Sequence, residues 1–304
     1  MAVTASMVKE LRERTGAGMM DCKNTLVEAD GDIEKAIELL REKGLAKAAK
    51  KAGRIASQGL IQLAFTEDGK KAAAIEVNAE TDFVAKNEEF VEFVDTLCDM
   101  VLNNDVKDMD EFMTLKYMDE GTVQDALNNK IAKIGENMSI RRFVKCEEPG
   151  VVHVGYVHGN GRIGVIIGLK TEASLEDVYT LGRDLAMQVA SMNPRFIAES
   201  DIDQEYIENE KNILIQQALN EGKPQNIVEK MVVGRLKKEL KEICLLEQSF
   251  VKDTDISVKQ YIDDTSRALG KAVEVTEMVR YEVGEGIEKK EENFAEEVAK
   301  QMNN

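Results

Sequence analysis

Apolar and polar positions change their period several times along the chain, and each change predicts a different element. Between Thr4 and Gly44 the apolar residues recur at helical spacing. Thr4 is placed to cap a first helix that carries Val8 and Leu11 and ends before Gly16. A second helix is predicted from about Met19 to Ala29, with Leu26 inward, stopping at Asp30-Gly31. Asp32 caps a third, with Ile33, Ala36, Ile37 and Leu40 on one face and Gly44 as its C-terminal stop. The segment from Ala46 to Arg54 is basic, alanine-rich and interrupted by Gly53. It reads as a solvated helical linker or as an electrostatic contact for an acidic patch.

From Gly59 the pattern shortens to that of strands. Leu60–Phe65 and Lys70–Val77 flank Glu67-Asp68-Gly69, a hairpin turn with glycine where positive φ is wanted. The run Ala72–Val77 predicts a buried strand that stops in a polar turn, Asn78 to Asp82. Phe83 directly follows. It is either a core residue returning to the sheet or a wedge for a partner protein, because a large aromatic is seldom left exposed without a use. A helix from about Asn87 to Leu102 carries Phe90, Val94, Leu97 and Val101 at helical spacing; a weaker helical region ends at Gly135, and Ser139–Cys146 reads as a third strand.

The same order then repeats. Val151–Val157 and Ile163–Leu169 flank the turn His158-Gly159-Asn160-Gly161, a helix runs from Leu175 to about Met192, and Val273–Val283 alternates as a late strand. Between helix and late strand lies an insertion. Helical runs over Asp203–Asn220 and Gln225–Cys244 are joined by Glu221-Gly222-Lys223-Pro224, the signature of an antiparallel helical hairpin, or coiled-coil arm. Ile207, Leu214 and Ala218 are expected to face Ile227, Met231 and Leu240. Ser257 and Gln260 predict a capping box for a further helix ending at Gly270. A last amphipathic helix is expected from about Ile287 to Met302.

Composition narrows the function. A chain of 304 residues with 43% hydrophobic and 32% charged residues has material for about two ordinary domains. No run approaches the ~18 apolar residues of a spanning helix, so no membrane role is expected. The N-terminal stretch lacks the pattern of a secretory signal. A formal charge of −17 argues against nucleic acid as main partner. Cys22, Cys98, Cys146 and Cys244 lie far apart without a C-x-x-C pair, which fits reduced, buried thiols in a cytoplasmic protein rather than a zinc or disulfide framework. There are two histidines, no phosphate loop and no nucleophile motif, so no cofactor, metal or covalent chemistry is indicated. His153, in an apolar strand, reads as structural, and His158 as an exposed turn residue.

Two long motifs, Leu11-Arg-Glu-Arg-Thr-Gly-Ala-Gly-Met-Met-Asp-Cys-Lys-Asn-Thr-Leu26 and Glu76-Val-Asn-Ala-Glu-Thr-Asp-Phe-Val-Ala-Lys86, resemble the two signatures of the bacterial elongation factor Ts family. The likeness continues through Lys133-Ile-Gly-Glu-Asn137, Tyr156-Val-His-Gly-Asn-Gly-Arg-Ile-Gly164 and Arg280-Tyr-Glu-Val-Gly-Glu-Gly-Ile-Glu288. The resemblance implies an α+β chain. Residues 1–54 would be a three-helix module resembling a ubiquitin-associated (UBA-like) domain with its linker. Residues 55–146, and 147–201 with 247–283, would be two related half-domains, each a three-stranded antiparallel sheet packed on helices. Residues 202–246 would be the inserted hairpin and 284–304 a C-terminal helical module.

It also implies a guanine-nucleotide exchange factor for elongation factor Tu, without covalent chemistry, that disturbs the Mg²⁺ and phosphate site of that GTPase. Thr81, Asp82, Phe83 and Val84 would act at that site. Ile134 and Gly135 would support the contact, and Lys23, His158 and Val251 would make further partner contacts. Lys252 stands where the family usually has an apolar residue, and Gly161 is an insertion in its turn. The hairpin would pair with a second copy, as a homodimer, or pack only on itself. Two other classes stay open: a scaffold that binds helices through its three-helix head and arm, and, third, an enzyme with a converged pocket.

Overall fold

The computed structural model describes residues 3–119 and 121–287. Within them the chain forms two compact units. One comprises the chain up to Ile61, Ile75–Phe143 and the stretch from Val283; the other comprises Gln62–Ala74 and Val144–Glu282.

The first unit opens with α1 (Ala5–Thr15), α2 (Met19–Glu28) and α3 (Ile33–Lys51). Thr4 caps α1 by accepting from Met7 N–H, and Asp32 caps α3 by accepting from Lys35 N–H. Leu11, Cys22, Leu26, Ala29 and Ala36 fill the space between the three helices. The stop expected at Gly44 is absent. The helix runs on to Lys51, so most of the basic segment is its last turns and not a linker. Packing explains this. A Cβ on Gly44 would lie 3.7 Å from that of Ala132, on the helix over Val123–Ile134. Arg41 pairs with Asp125 at 2.6 Å, and Lys51 Nζ donates to the Ile131 carbonyl at 3.4 Å. Two ties and a close helix contact outweigh the ~1 kcal/mol that a mid-helix glycine costs locally.

The chain continues through β1 (Gln58–Phe65), β2 (Ala72–Ala79), α4 (Asp82–Ala85), α5 (Glu88–Asn103), α6 (Met109–Thr114), α7 (Val123–Ile134) and β3 (Met138–Cys146). The strands form a sheet in the order β1-β2-β3. Asn87 caps α5 through Glu89 and Phe90 N–H, and Phe90, Val94, Leu97 and Val101 are all fully buried, as their spacing predicts.

In the second unit β4 (Val151–His158), β5 (Ile163–Thr171), α8 (Leu175–Met192), α9 (Gln204–Asn220), α10 (Gln225–Ile243), β6 (Ser249–Phe250), β7 (Asp253–Ser257), α11 (Val258–Leu269) and β8 (Val273–Glu282) follow in order. The sheet β4-β5-β8 is antiparallel throughout. The repeat read from the sequence is therefore real: the chain is α+β with two antiparallel three-stranded sheets. Helix α8 lies on β4 and β5, and Val165, Ile167, Leu169, Leu181, Leu185 and Val189 form the core between them. Gly182 permits the approach, because a Cβ there would stand 2.6 Å from that of Val154.

The insertion is a helical hairpin, with one register correction. Ala218 packs with Val228 and Val232, backed by Leu214 and Ile215, while Ile227 is 45% exposed. Adjacent apolar residues on α10 leave its inward face ambiguous by one position, and Val228 takes it. The hairpin base is pinned, since Arg195 and Phe196 N–H both donate to the Ile243 carbonyl and Leu245 N–H donates to the Phe196 carbonyl. Ser257 caps α11 through Gln260 N–H at 3.1 Å. The short β6–β7 pair was not expected. The helix predicted to end at Met302 lies outside the described residues apart from Ile287. All four cysteines are buried thiols outside any disulfide, and burial pushes Cys98 and Cys146 up to about 12 and Cys244 to about 11. Among the described residues no helix is long and apolar enough to cross a membrane.

Candidate functional site

Strand β2 ends at Ala79 and hands the chain to a single helical turn, α4. The polar turn predicted over Asn78–Asp82 is shorter than expected. Asn78 is buried within β2, with Nδ2 donating to the Gln58 carbonyl at 3.2 Å and to Glu76 Oε1 at 3.1 Å. The amide nitrogen is therefore paired inside the strand, while Oδ1 is buried without a hydrogen-bond partner. Thr81 is the N-cap of α4, and Glu136 holds Thr81 twice: the Thr81 N–H donates to Oε2 at 2.9 Å and its hydroxyl to Oε1 at 2.7 Å. One residue earlier, Glu80 Oε1 accepts from Asn137 N–H at 2.5 Å, and Asn137 Nδ2 donates to the Arg54 carbonyl at 2.7 Å. Thus the turn before α4 is tied to the turn after α7, where Gly135 closes that helix in a left-handed conformation, φ 91°.

On this pinned turn Val84 points inward and Phe83 points out. Val84 is 7% exposed and Phe83 81%. Phe83 does not return to the core, so the first of its two sequence readings is excluded. Asp82 beside it is exposed and pairs with Lys86 at 2.6 Å. That hydrogen bond holds its carboxyl below the usual range. Ile134 is half-buried and Gly135 exposed.

Behind the site, Glu76 is fully buried in β2. It accepts from Arg141 Nη1 at 3.0 Å, Arg142 Nε at 2.6 Å and Gly284 N–H at 2.8 Å. Burial alone would raise its pKa; the Gly284 and arginine hydrogen bonds outweigh that and hold it below the ordinary value. Sequence reasoning assigned no role to Glu76 or Glu136. The signal for Glu76 was available, since a carboxylate inside a predicted buried strand requires cationic partners.

The sequence model of the family described as elongation factor TS matches residues 80–285. Elongation factor Ts of Clostridioides difficile (strain 630) is 57% identical over 300 residues, covering 99% of both chains. That of Clostridium novyi (strain NT) is 56% identical over 303 residues, and that of Clostridium kluyveri 52% over 302, again at 99% of each. The chain belongs to the elongation factor Ts family. The elongation factor Ts match begins at the Glu80 turn and ends at Glu285, so it takes in the Phe83 turn, Gly135, His158 and Val251.

The remaining residues that the elongation factor Ts resemblance singles out lie elsewhere. Lys23 is exposed on α2, with Met19, Met20 and Val27 exposed at 59%, 63% and 58% on the same helix. His158 ends β4 in the second unit, exposed, with Nδ1 3.0 Å from the Tyr156 hydroxyl. Val251 is 40% exposed in the β6–β7 turn. Its neighbour Lys252 is engaged inside its own unit, donating to Asp184 at 2.6 Å, while the Tyr261 hydroxyl donates to the other oxygen at 3.0 Å.

Proposed function

We propose that the protein is a guanine-nucleotide exchange factor that releases GDP from elongation factor Tu by disturbing the Mg²⁺ and phosphate site of that GTPase. The observation that carries this is Phe83: a large aromatic, 81% exposed, on a turn anchored at Thr81 and Val84, in a chain of the elongation factor Ts family. Such a ring has no use in its own fold and is suited to insertion between elements of a partner.

The mechanism needs no covalent step. Mg²⁺ and a phosphate loop hold the nucleotide in such a GTPase. A factor that binds the empty GTPase better than the loaded one weakens GDP by the same coupling free energy. Burying a phenylalanine is worth about 1.5–3 kcal/mol. About 2 kcal/mol of coupling would weaken GDP binding roughly thirtyfold. Phe83 supplies the wedge, and Asp82 competes with the groups that organise the ion. Ile134 and Gly135 flank the same contact. Lys23, with the exposed methionines of α2, and His158 and Val251 in the second unit hold other surfaces of the GTPase.

The test is release of a fluorescent GDP analogue from bacterial elongation factor Tu with catalytic amounts of this protein. Strong acceleration that disappears in Asp82→Ala/Phe83→Ala is expected. A folded double variant that exchanges at the wild-type rate would remove both residues from the mechanism. No acceleration by the wild-type protein would favour the scaffold reading.

A further inference from the structure

Three strands of the second sheet place a histidine, a glycine and a glutamate in one row. His153 on β4 pairs with Gly168 on β5, and Gly168 pairs with Glu277 on β8. Residues paired directly across strands project to the same face. The ends of such a row are about 10 Å apart at the backbone, with the central side chain normally between them. Here the centre is glycine. A Cβ at Gly168 would stand 2.8 Å from Glu277 Cβ and 3.1 Å from Glu277 Oε2, so the glutamate occupies the space that a side chain would fill. The register of β5 against β8 slips at Gly168/Leu169, a bulge of the kind that re-aims a side chain. Glu277 Oε2 thereby reaches 2.7 Å from His153 Nε2. Cys146, at the end of β3, completes the group: its Sγ, a ring nitrogen of His153 and a carboxylate oxygen of Glu277 all lie within 4.8 Å of one another.

The histidine is oriented as a ligand. His153 Nδ1 lies 3.1 Å from the Gly69 carbonyl oxygen, which can only accept, so Nδ1 carries a proton. This is how a backbone carbonyl fixes the tautomer of metal-binding histidines. Nε2 then faces a carboxylate oxygen at 2.7 Å. Two lone pairs do not face each other at that distance without a cation between them, either a proton or a metal ion. Cys146 and His153 are buried and Glu277 is partly so. Neither the translation-factor reading nor the exposed Phe83 turn uses any of the three.

We propose that Cys146, His153 and Glu277 bind one transition-metal ion of the zinc class, with water at the fourth position. Thiolate, imidazole and carboxylate together suit Zn²⁺. Bond lengths of about 2.0–2.3 Å in a tetrahedron need ligand atoms about 3.4–3.6 Å apart. The His153–Glu277 gap must therefore open by about 0.7 Å, within the reach of a glutamate side-chain rotation. The balance is simple. The Cys146 S–H proton and the proton between Nε2 and Oε2 leave, and the ion takes both places, so about two protons are released per ion. Thiolate and carboxylate offset the two positive charges, and the buried group stays neutral.

The test is titration of the reduced, chelator-stripped full-length protein with Co²⁺, followed by Zn²⁺. One equivalent of Co²⁺ is expected to give a thiolate-to-cobalt charge-transfer band that Zn²⁺ abolishes, with about two protons released into weak buffer. Cys146→Ser is expected to lose the band, and Cys244→Ser to keep it. Glu277→Gln, an isosteric change at the half-buried end of the row, is expected to weaken Co²⁺ by more than the ~10–100-fold that loss of an outer partner costs. A folded wild-type protein without the band overturns the proposal. So does a band that persists in Cys146→Ser, or unchanged Co²⁺ affinity in Glu277→Gln.

Discussion

Replacing Glu136 by alanine tests whether Phe83 works because it is held still. The carboxylate accepts from Thr81 N–H at 2.9 Å and from the Thr81 hydroxyl at 2.7 Å. Hydrogen bonds to charged groups contribute about 1.5–3 kcal/mol each in net terms. Both bonds are part-buried, and water can replace the lost acceptor, so the expected loss of stability is about 2 kcal/mol rather than the full sum. Function should fall further than stability requires. A turn that must be ordered on binding costs about 0.5–1.5 kcal/mol for each side chain immobilised, which corresponds to roughly two- to thirteenfold slower exchange. Phe83 and Asp82 are chemically untouched in this variant. The assay is GDP release at conditions where the variant is fully folded, paired with urea unfolding. Glu136→Gln keeps one acceptor and should fall between the two. Wild-type exchange by a measurably destabilised Glu136→Ala would show that the turn needs no anchor. A loss of stability below about 0.5 kcal/mol would show that the clamp is not formed in solution.

Phe83→Ala should leave folding almost unchanged: with the ring 81% exposed, at most about a fifth of the ~1.5–3 kcal/mol of a buried phenylalanine is at stake, and a large fall in thermal midpoint would refute its exposed placement. Glu76→Gln leaves Arg141 and Arg142 without their buried carboxylate and should cost about 3 kcal/mol or more near neutral pH, measured by urea unfolding. Because the folded Glu76 carboxyl is held below 4.5, its contribution is complete above that pH and drains away as the pH falls through the lowered folded value. The gap between wild type and Glu76→Gln should narrow in acid, and a gap that widens there would contradict the hydrogen-bond account. We further propose that the hairpin is dispensable for the core. Removal of Gln204–Lys241 with a short glycine linker, leaving Ile243–Leu245 on Arg195–Ile197, should give a folded protein with partly reduced exchange or altered assembly by light scattering, whereas global unfolding would make the arm part of the core.

Long periodic segments were legible because one residue pattern served one packing face. The helix predicted from Leu175 to Met192 forms over those residues, and Phe90, Val94, Leu97 and Val101 all reach the core. Two of the failures share a cause: a local signal overruled by a distant contact. Gly44 carries the mark of a helix end, but the Arg41–Asp125 and Lys51–Ile131 ties carry the helix past it. Asn78 carries the mark of a turn, but its amide nitrogen is held inside a strand by Gln58 and Glu76. At the candidate site, the motif residues were visible and their support was not. Glu136 meets Thr81 across 55 positions, and His153 meets Glu277 across 124. Spacing along one chain holds no record of such pairs.

The division of labour around Phe83 follows from what an exposed ring can and cannot do. A residue that is 81% exposed adds almost nothing to its own fold, so the fold must position it through its neighbours. Those neighbours are arranged accordingly: Val84 is buried, Thr81 is held twice by Glu136, and Glu80 is fastened to Asn137. These contacts hold the turn and leave the ring 81% exposed. Rigidity lowers the entropy lost when a partner closes over the ring, while exposure preserves the full apolar area for that partner. A core phenylalanine with the same neighbours would stabilise this chain more and do nothing to another. The proposed exchange function requires the opposite allocation: burial of the ring would be deferred until the nucleotide-free partner is bound, and the free energy released would then appear as weakened nucleotide affinity.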